Sequence, residues 1–502
     1  MRRLILPVIA VTLAACGGAT PGGHAAIPAT GAAGYPATRW VPASPTYLLA
    51  APTVGDAQRG FRDLLDGIGT VFGGGHADIG HKLESVLGVD PLRDEATANI
   101  GVDQASGIAI FSEGLNPTIA VHLAQPELLQ QFFDAQRQRG MSTQSIVVDG
   151  AEVVTARISS DLHVSWAIVD GWWLVHFQIA ELGDDGVAWL AHARAGRGDW
   201  AAAWDAAQQL AAAHGVTPEI AGFGNLAAMV KTVTDRVPAA LACAQLVSPV
   251  QRVSFAIDGD GHHAGGHVAL ELGPAAQGVR AAVLAPPAGW TAATANAPLA
   301  VQWNLDVAAV TRWLAPCARA IGAGTDLAAL SSPGVRAARG VVKAFDPADT
   351  EHDAGAVVLD VSDTRMVTEM LDRVPLRKQL EGDRTFGPYA GHSLGIPTFG
   401  RIDYVLTDKL AMVAMGDGLL AQIATGATAG AGAAHEPPLI AVDVAPPALP
   451  EDAWVSLMDL VVGDVLGAHR AIAGEMMHWR DGHVALTLDG SALVISASGN
   501  RR

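Results

Sequence analysis

The strongest constraint on this chain is that one long stretch is written twice. The first copy runs from Thr118 to Phe177 and reads TIAVHLAQPELLQQFF, then SIVVDGAEVVTA, then LHVSWAIVDGWWLVHF. The second runs from Ala356 to Met415 and reads AVVLDVSDTRMVTEML, TFGPYAGHSLGI and RIDYVLTDKLAMVAM. Ile119 aligns with Val357 and Asp170 with Asp408 at one shared offset of 238 positions. A later strand repeats as well: Gly266 to Leu272 (GHVALEL) matches Gly482 to Leu488 (GHVALTL), now at an offset of 216. A chain of this kind has to bury the same pattern of apolar faces twice.

The periods inside the block name its elements. Thr118 to Leu123 is apolar and β-branched enough for a strand. Pro126 then stands where the first residue of a helix belongs, and Leu128, Leu129, Phe132 and Phe133 form one apolar stripe before Gly140. In the second copy Asp363 takes the N-cap, and Val367 and Leu371 continue the stripe with Met366 and Met370. Strand pairs follow. Asp170-Gly171 joins the strands Leu162 to Ile168 and Trp172 to Phe177, a dipeptide that favours a type I′ turn. Asp408-Lys409 holds the corresponding place.

Outside the block, Thr46 to Ala51 reads as a strand, and Asp56 to Phe72 carries Phe61, Leu64, Leu65, Ile68 and Val71 at helical spacing. The first half alone has an inserted helix with Trp200, Ala203, Trp204 and Ala207 on one face. Together these periods predict an α+β fold of two related repeats, each a mostly antiparallel sheet with amphipathic helices packed on one face. The expected boundaries are 41–273 and 297–500, with the Pro/Ala/Gly-rich stretch 274–296 as linker.

The N-terminus supplies an address. Arg2 and Arg3 precede a short apolar stretch, Leu4 to Ala15, which is too short for a permanent membrane span. It ends in Leu13-Ala14-Ala15-Cys16, which resembles the lipobox of bacterial lipoproteins. The resemblance implies a signal peptide over 1–15, cleavage before Cys16, and a lipid anchor on the Cys16 thiol and the new amino terminus. Gly17 stands where retention at the inner membrane would want Asp, which favours the outer membrane of the cell envelope. Residues 16–40, mostly Gly, Ala, Pro and Thr, read as a flexible tether with a reach of about 25–30 Å. In layout the body resembles large bacterial envelope lipoproteins built on a duplicated domain.

Net charge narrows the partners. The chain carries −18 at pH 7, and −20 once Arg2 and Arg3 are removed. Such a surface repels nucleic acid, so the expected partners are the membrane, through the anchor, and other envelope proteins. Beyond Cys16 the chain has Cys243 and Cys317. An export compartment permits them to pair, closing a long loop worth about 4 kcal/mol in chain entropy. Two buried free thiols are the alternative.

Three groups of residues offer chemistry. Gly391-His392-Ser393-Leu394-Gly395 resembles the G-x-S-x-G nucleophile elbow of esterases and lipases in the α/β-hydrolase family. An elbow needs a strand before the serine and a helix after it. Here Gly387-Pro388 precedes and Ile396-Pro397 follows, while the first copy reads VVTAR at the same place, so an ordinary strand is the expectation. His262, His263 and His267 could supply metal ligands, although their spacing matches no known ligand pattern, and a polar hairpin tip is the alternative. Trp166, Trp172, Trp173, Trp200 and Trp204 could form an aromatic binding surface in the first half, with core packing as the default. Neither a Walker loop, a dinucleotide fingerprint, H-E-x-x-H nor Cys-x-x-Cys occurs. No cofactor is expected. The expectation is a non-catalytic envelope scaffold or binding module. The alternatives are a hydrolase using Ser393 and a carrier of apolar ligands.

Overall fold

The computed structural model describes residues 34–502, apart from 73–75, 183–185, 196–199, 214–217, 237–249, 260–262, 321–333, 349–351, 374–379, 397–399, 426–436, 462–473 and 475. Cys16, Cys243 and His262 lie outside the described residues, as does the side chain of Cys317. The fold is mixed α and β, dominated by antiparallel sheet with helices laid on it. The chain divides into two compact units, one reaching Glu271 and the other running on from Leu272.

In the first unit the strands are β1 (Tyr47–Ala51), β2 (Ile108–Ser112), β3 (Thr118–His122), β4 (Thr143–Val148), β5 (Ala151–Arg157), β6 (Leu162–Val169), β7 (Trp172–Ile179), β8 (Ile220–Asn225), β9 (Arg252–Gly259) and β10 (His263–Glu271). They hydrogen-bond in the order β4-β5-β6-β7-β3-β2-β1-β8-β9-β10, every pair antiparallel. The predicted turn between β6 and β7 is present: Asp170 and Gly171 both have positive φ, 51° and 77°. Asp149-Gly150 turns β4 into β5 in the same way.

Both faces of this sheet are covered. Along β7, Trp172 and Leu174 enter a core with Leu48, Phe111, Trp189, Trp200 and Trp204. Val175, with the half-buried Trp173 and Phe177, packs instead with Leu129, Phe133 and Trp166. The helices Ala188–Ala195 and Ala201–Ala213 close the first face. Pro126–Gln138 closes the second, and Val54–Phe72 packs its Ala57 against Ile220. The expectation of helices on one face is therefore corrected. The cause is legible in the strands: β2, β3 and β7 are apolar at consecutive positions, and such a strand has to be buried on both sides.

In the second unit the strands are β11 (Leu299–Trp303), β12 (Val335–Ala344), β13 (Ala354–Val361), β14 (Glu381–Phe386), β15 (Tyr389–Ile396), β16 (Gly400–Leu406), β17 (Leu410–Met415), β18 (Ile440–Val444), β19 (Trp479–Asp489) and β20 (Ala492–Arg501). Their order is β14-β15-β16-β17-β13-β12-β11-β18-β19-β20, again antiparallel throughout. Trp290 and Ala293, from a short helix Trp290–Thr294, pack with Leu420 and Ile423 over one face. Trp454 and Leu457, from Glu451–Val461, pack with Leu299, Val342 and Val444 on the other.

Two stretches expected to be loose are built into cores. Tyr35, Ala37, Thr38 and Trp40 are buried around the 3-10 turn Pro36–Trp40, so these residues do not belong to the tether expected over 16–40. Trp290 lies inside the stretch expected as a linker and is 1% exposed. In each case a large aromatic side chain outweighs a loop-like composition, since burying one removes 150–250 Å² from water, about 4–6 kcal/mol.

Candidate functional site

The candidate nucleophile lies on the ribbon β14-β15-β16. Ser393 sits in the middle of β15, paired with Gly382 on β14 and Asp403 on β16. Its hydroxyl donates to Asp403 Oδ1 at 2.6 Å. Asp403 is 1% exposed, and guanidinium groups of Arg401 and Arg384 lie 3.1 Å and 3.9 Å from its Oδ1. A buried carboxylate needs such compensation, and the serine hydroxyl is part of it.

Alternation along β15 puts His392 on the other face of the ribbon. There its ring lies 5.2 Å from that of Tyr404, with Nδ1 3.0 Å from Asp383 Oδ1 and 3.4 Å from Glu381 Oε1. Tyr404, fully buried, donates its hydroxyl to Glu381. The serine and its neighbouring histidine thus belong to two separate polar groups, and the sheet divides them. Gly391 has a packing role in place of an elbow's. A side chain there would meet the Tyr404 carbonyl oxygen at 2.4 Å and Val405 Cγ2 at 2.7 Å. The hydrolase-like motif is a strand segment whose first glycine lets β16 approach closely.

The histidine group resolves into a carboxylate with two imidazoles. Asp258 on β9 faces Gly265 on β10, whose missing side chain leaves room for the carboxylate. His263 Nε2 is 3.2 Å from Asp258 Oδ2, and His267 Nε2 is 3.7 Å from Oδ1. Asp258 and His267 are buried. Among the described residues no group of three His, Cys, Asp or Glu side chains could hold a metal ion. His263 and His267 thus both lie against the one Asp258 carboxylate, while His262, the third candidate, is outside the described residues.

The tryptophans do not form a surface. Trp166, Trp172, Trp200 and Trp204 are 5%, 5%, 5% and 1% exposed. Trp166 stacks on Phe133 at 4.1 Å, Trp173 meets the same ring edge-on at 6.0 Å, and Trp204 meets Tyr35 edge-on at 4.8 Å. The helix Ala201–Ala213 therefore closes a core, in line with the default reading of these tryptophans, and Trp166, Trp172, Trp200 and Trp204 offer no aromatic surface.

One polar group escaped the sequence altogether. Glu219, just before β8, is 8% exposed and accepts a hydrogen bond from Arg59 Nε at 2.6 Å. Arg59 also binds Asp56. Burial pushes the Glu219 carboxyl up to about 7, while Arg59 pulls it down, and Asp56 and Asp258 add to the rise. Arg59 and Asp56 lie in the first turns of an amphipathic helix, and nothing local ties them to a residue so far along the chain.

No helix among the described residues is long and apolar enough to cross a membrane. No family model and no curated protein matches the chain. Among solved structures it is similar to crystal form I of TP0453, at 10% identity and a TM-score of 0.26, over 48% of this chain and 79% of that one. Crystal form III gives 9% and 0.28 over 47% and 80%, and crystal form IV gives 8% and 0.27 over 49% and 84%. At these scores the likeness carries no argument.

Proposed function

We propose that this protein is a non-catalytic lipoprotein of the bacterial cell envelope, anchored at the outer membrane through Cys16 and acting as a scaffold or binding module. The non-catalytic part rests above all on Ser393, whose hydroxyl is committed to Asp403 while His392 stands on the opposite face of the ribbon. The anchor rests on Leu13-Ala14-Ala15-Cys16.

The body of the protein is, in this reading, two related repeats. What supports it is the common strand order of the two units, hairpin ribbon first and long two-stranded ribbon last. A shared detail supports it too. Ser393 and Asp403 correspond, at the offset of 238, to Thr155 and Ser165, and that pair is also joined across neighbouring strands, Oγ1 to Oγ at 2.8 Å. A hydrogen-bonded cross-strand pair at one fixed place is a structural element of the ribbon.

Two measurements test the proposal. Metabolic labelling with a palmitate analogue should mark the protein and fail in Cys16→Ala; absence of label, or label that survives the substitution, removes the anchor. A fluorophosphonate probe should leave the purified protein unlabelled. Labelling that disappears in Ser393→Ala would make it a serine hydrolase.

A further inference from the structure

Each ribbon ends in an outer strand, and the two outer strands are built in opposite ways. β14 carries Glu381, Asp383 and Arg384, with Asp383 against His392 and Arg384 near Asp403. Charges on an edge strand deter another chain from adding to it. β4 reads Thr143-Gln144-Ser145-Ile146-Val147-Val148 and has no charge. Among the described residues it pairs with β5 alone, which leaves the peptide groups along its outer side open. Gln144, Ser145, Ile146 and Val147 are all exposed. Val147, 75% exposed, is the most exposed large hydrophobic side chain among the described residues, and Ile146 is 48% exposed on the other face of the strand.

We propose that β4 is a self-association edge: two copies of this chain pair β4 to β4, antiparallel, about a twofold axis through the middle of the strand. Charge selects a second copy as the occupant. The chain is strongly acidic, yet two copies meeting along β4 bring no like charges face to face. The ends of the strand have opposite sign. Exposed Arg139 precedes it, and exposed Asp149 and Glu152 follow it, outnumbering Arg194, which donates to the Asp149 carbonyl oxygen at 2.6 Å. An antiparallel twofold sets the basic end of each copy beside the acidic end of the other, as a self-complementary interface requires. Gln144 then faces Val147 of the second copy and Ser145 faces Ile146, and the open peptide groups complete one another.

Sedimentation velocity on the full chain in detergent, over a micromolar dilution series, reads the outcome. The expected result is a reversible dimer. Val147→Lys and Ile146→Lys, one on each face of β4, should each raise the dissociation constant at least about ten-fold, since a lysine on an edge strand blocks sheet addition. Both positions are well exposed, so the circular dichroism spectrum should not change; if one variant misfolds, the other still decides. Asp383→Ala, on the guarded edge, should leave the dimer intact. A wild-type monomer at every concentration, which is also what an edge reserved for an unrelated peptide would give, overturns the proposal. So does a dimer whose dissociation constant is unmoved by both lysines.

Discussion

Trp204→Ala tests most directly whether the tryptophans of the first unit are core or platform. Trp204 is 1% exposed, with Tyr35 edge-on at 4.8 Å and Trp200 at 6.2 Å. Truncating a buried tryptophan to alanine costs about 3–5 kcal/mol through lost burial and the cavity left behind. The two edge-on contacts place this site in the upper part of that range. One term works the other way: the Trp204 Nε1 is buried with no hydrogen-bond partner among the described residues, and removing such a donor returns about 1–3 kcal/mol. Trp204→Ala should therefore cost about 3 kcal/mol, and Trp204→Phe, which keeps most of the ring and loses the donor, about 1 kcal/mol or less. Urea unfolding followed by far-UV circular dichroism measures both. With a slope of roughly 2–3 kcal/mol per molar, the alanine variant should move the midpoint of its unit down by about 1–1.5 M. A loss below about 1 kcal/mol for Trp204→Ala would refute the packing argument and return this side chain to the pool of binding residues.

Ser393→Ala should cost about 1–2 kcal/mol, because it leaves Asp403 buried with one donor fewer; in the same unfolding assay, a variant as stable as wild type would deny the hydrogen bond its role. Glu219 has a folded pKa raised from 4.5 to about 7, so its stabilising contribution is complete below pH 4.5 and is lost as pH rises through 7. Over that window the loss approaches about 3 kcal/mol, and Glu219→Gln should flatten the dependence of stability on pH; an unchanged profile counts against the assignment. The hydrogen bond that His483 Nδ1–H donates to Asp443 Oδ1, 2.5 Å away, holds the imidazole above its ordinary 6.5, more than burial lowers it. Histidine NMR titration should show that rise, and Asp443→Asn should abolish it; its pairing stabilises the fold at acid pH and fades as pH climbs past the raised pKa.

Much of this molecule is written locally. Pro126 begins its helix, the Asp363 carboxylate accepts the Arg365 N–H at 2.8 Å as a helix cap does, and Asp170-Gly171 makes its turn. These outcomes depend on a few neighbouring residues and their dihedral preferences, so periodicity and turn chemistry suffice to read them. The strand reading of the Gly391–Gly395 motif was legible for the same reason, from the prolines and glycine that flank it.

Partners across the sheet were not legible. That Ser393 meets Asp403, that His263 and His267 converge on Asp258, and that Arg59 reaches Glu219 all depend on the register between strands or on how a helix lies over them. Composition misled where a single aromatic decided the outcome: Tyr35, Trp40 and Trp290 sit in loop-like sequence, yet each fills a core. The sequence by itself determined where strands, turns and helices form within the repeated block, because those follow from short-range periods. Only the tertiary structure decided which elements cover each face, which tryptophans are hidden and which outer strand stays bare, because each is settled by contacts between residues far apart in the chain.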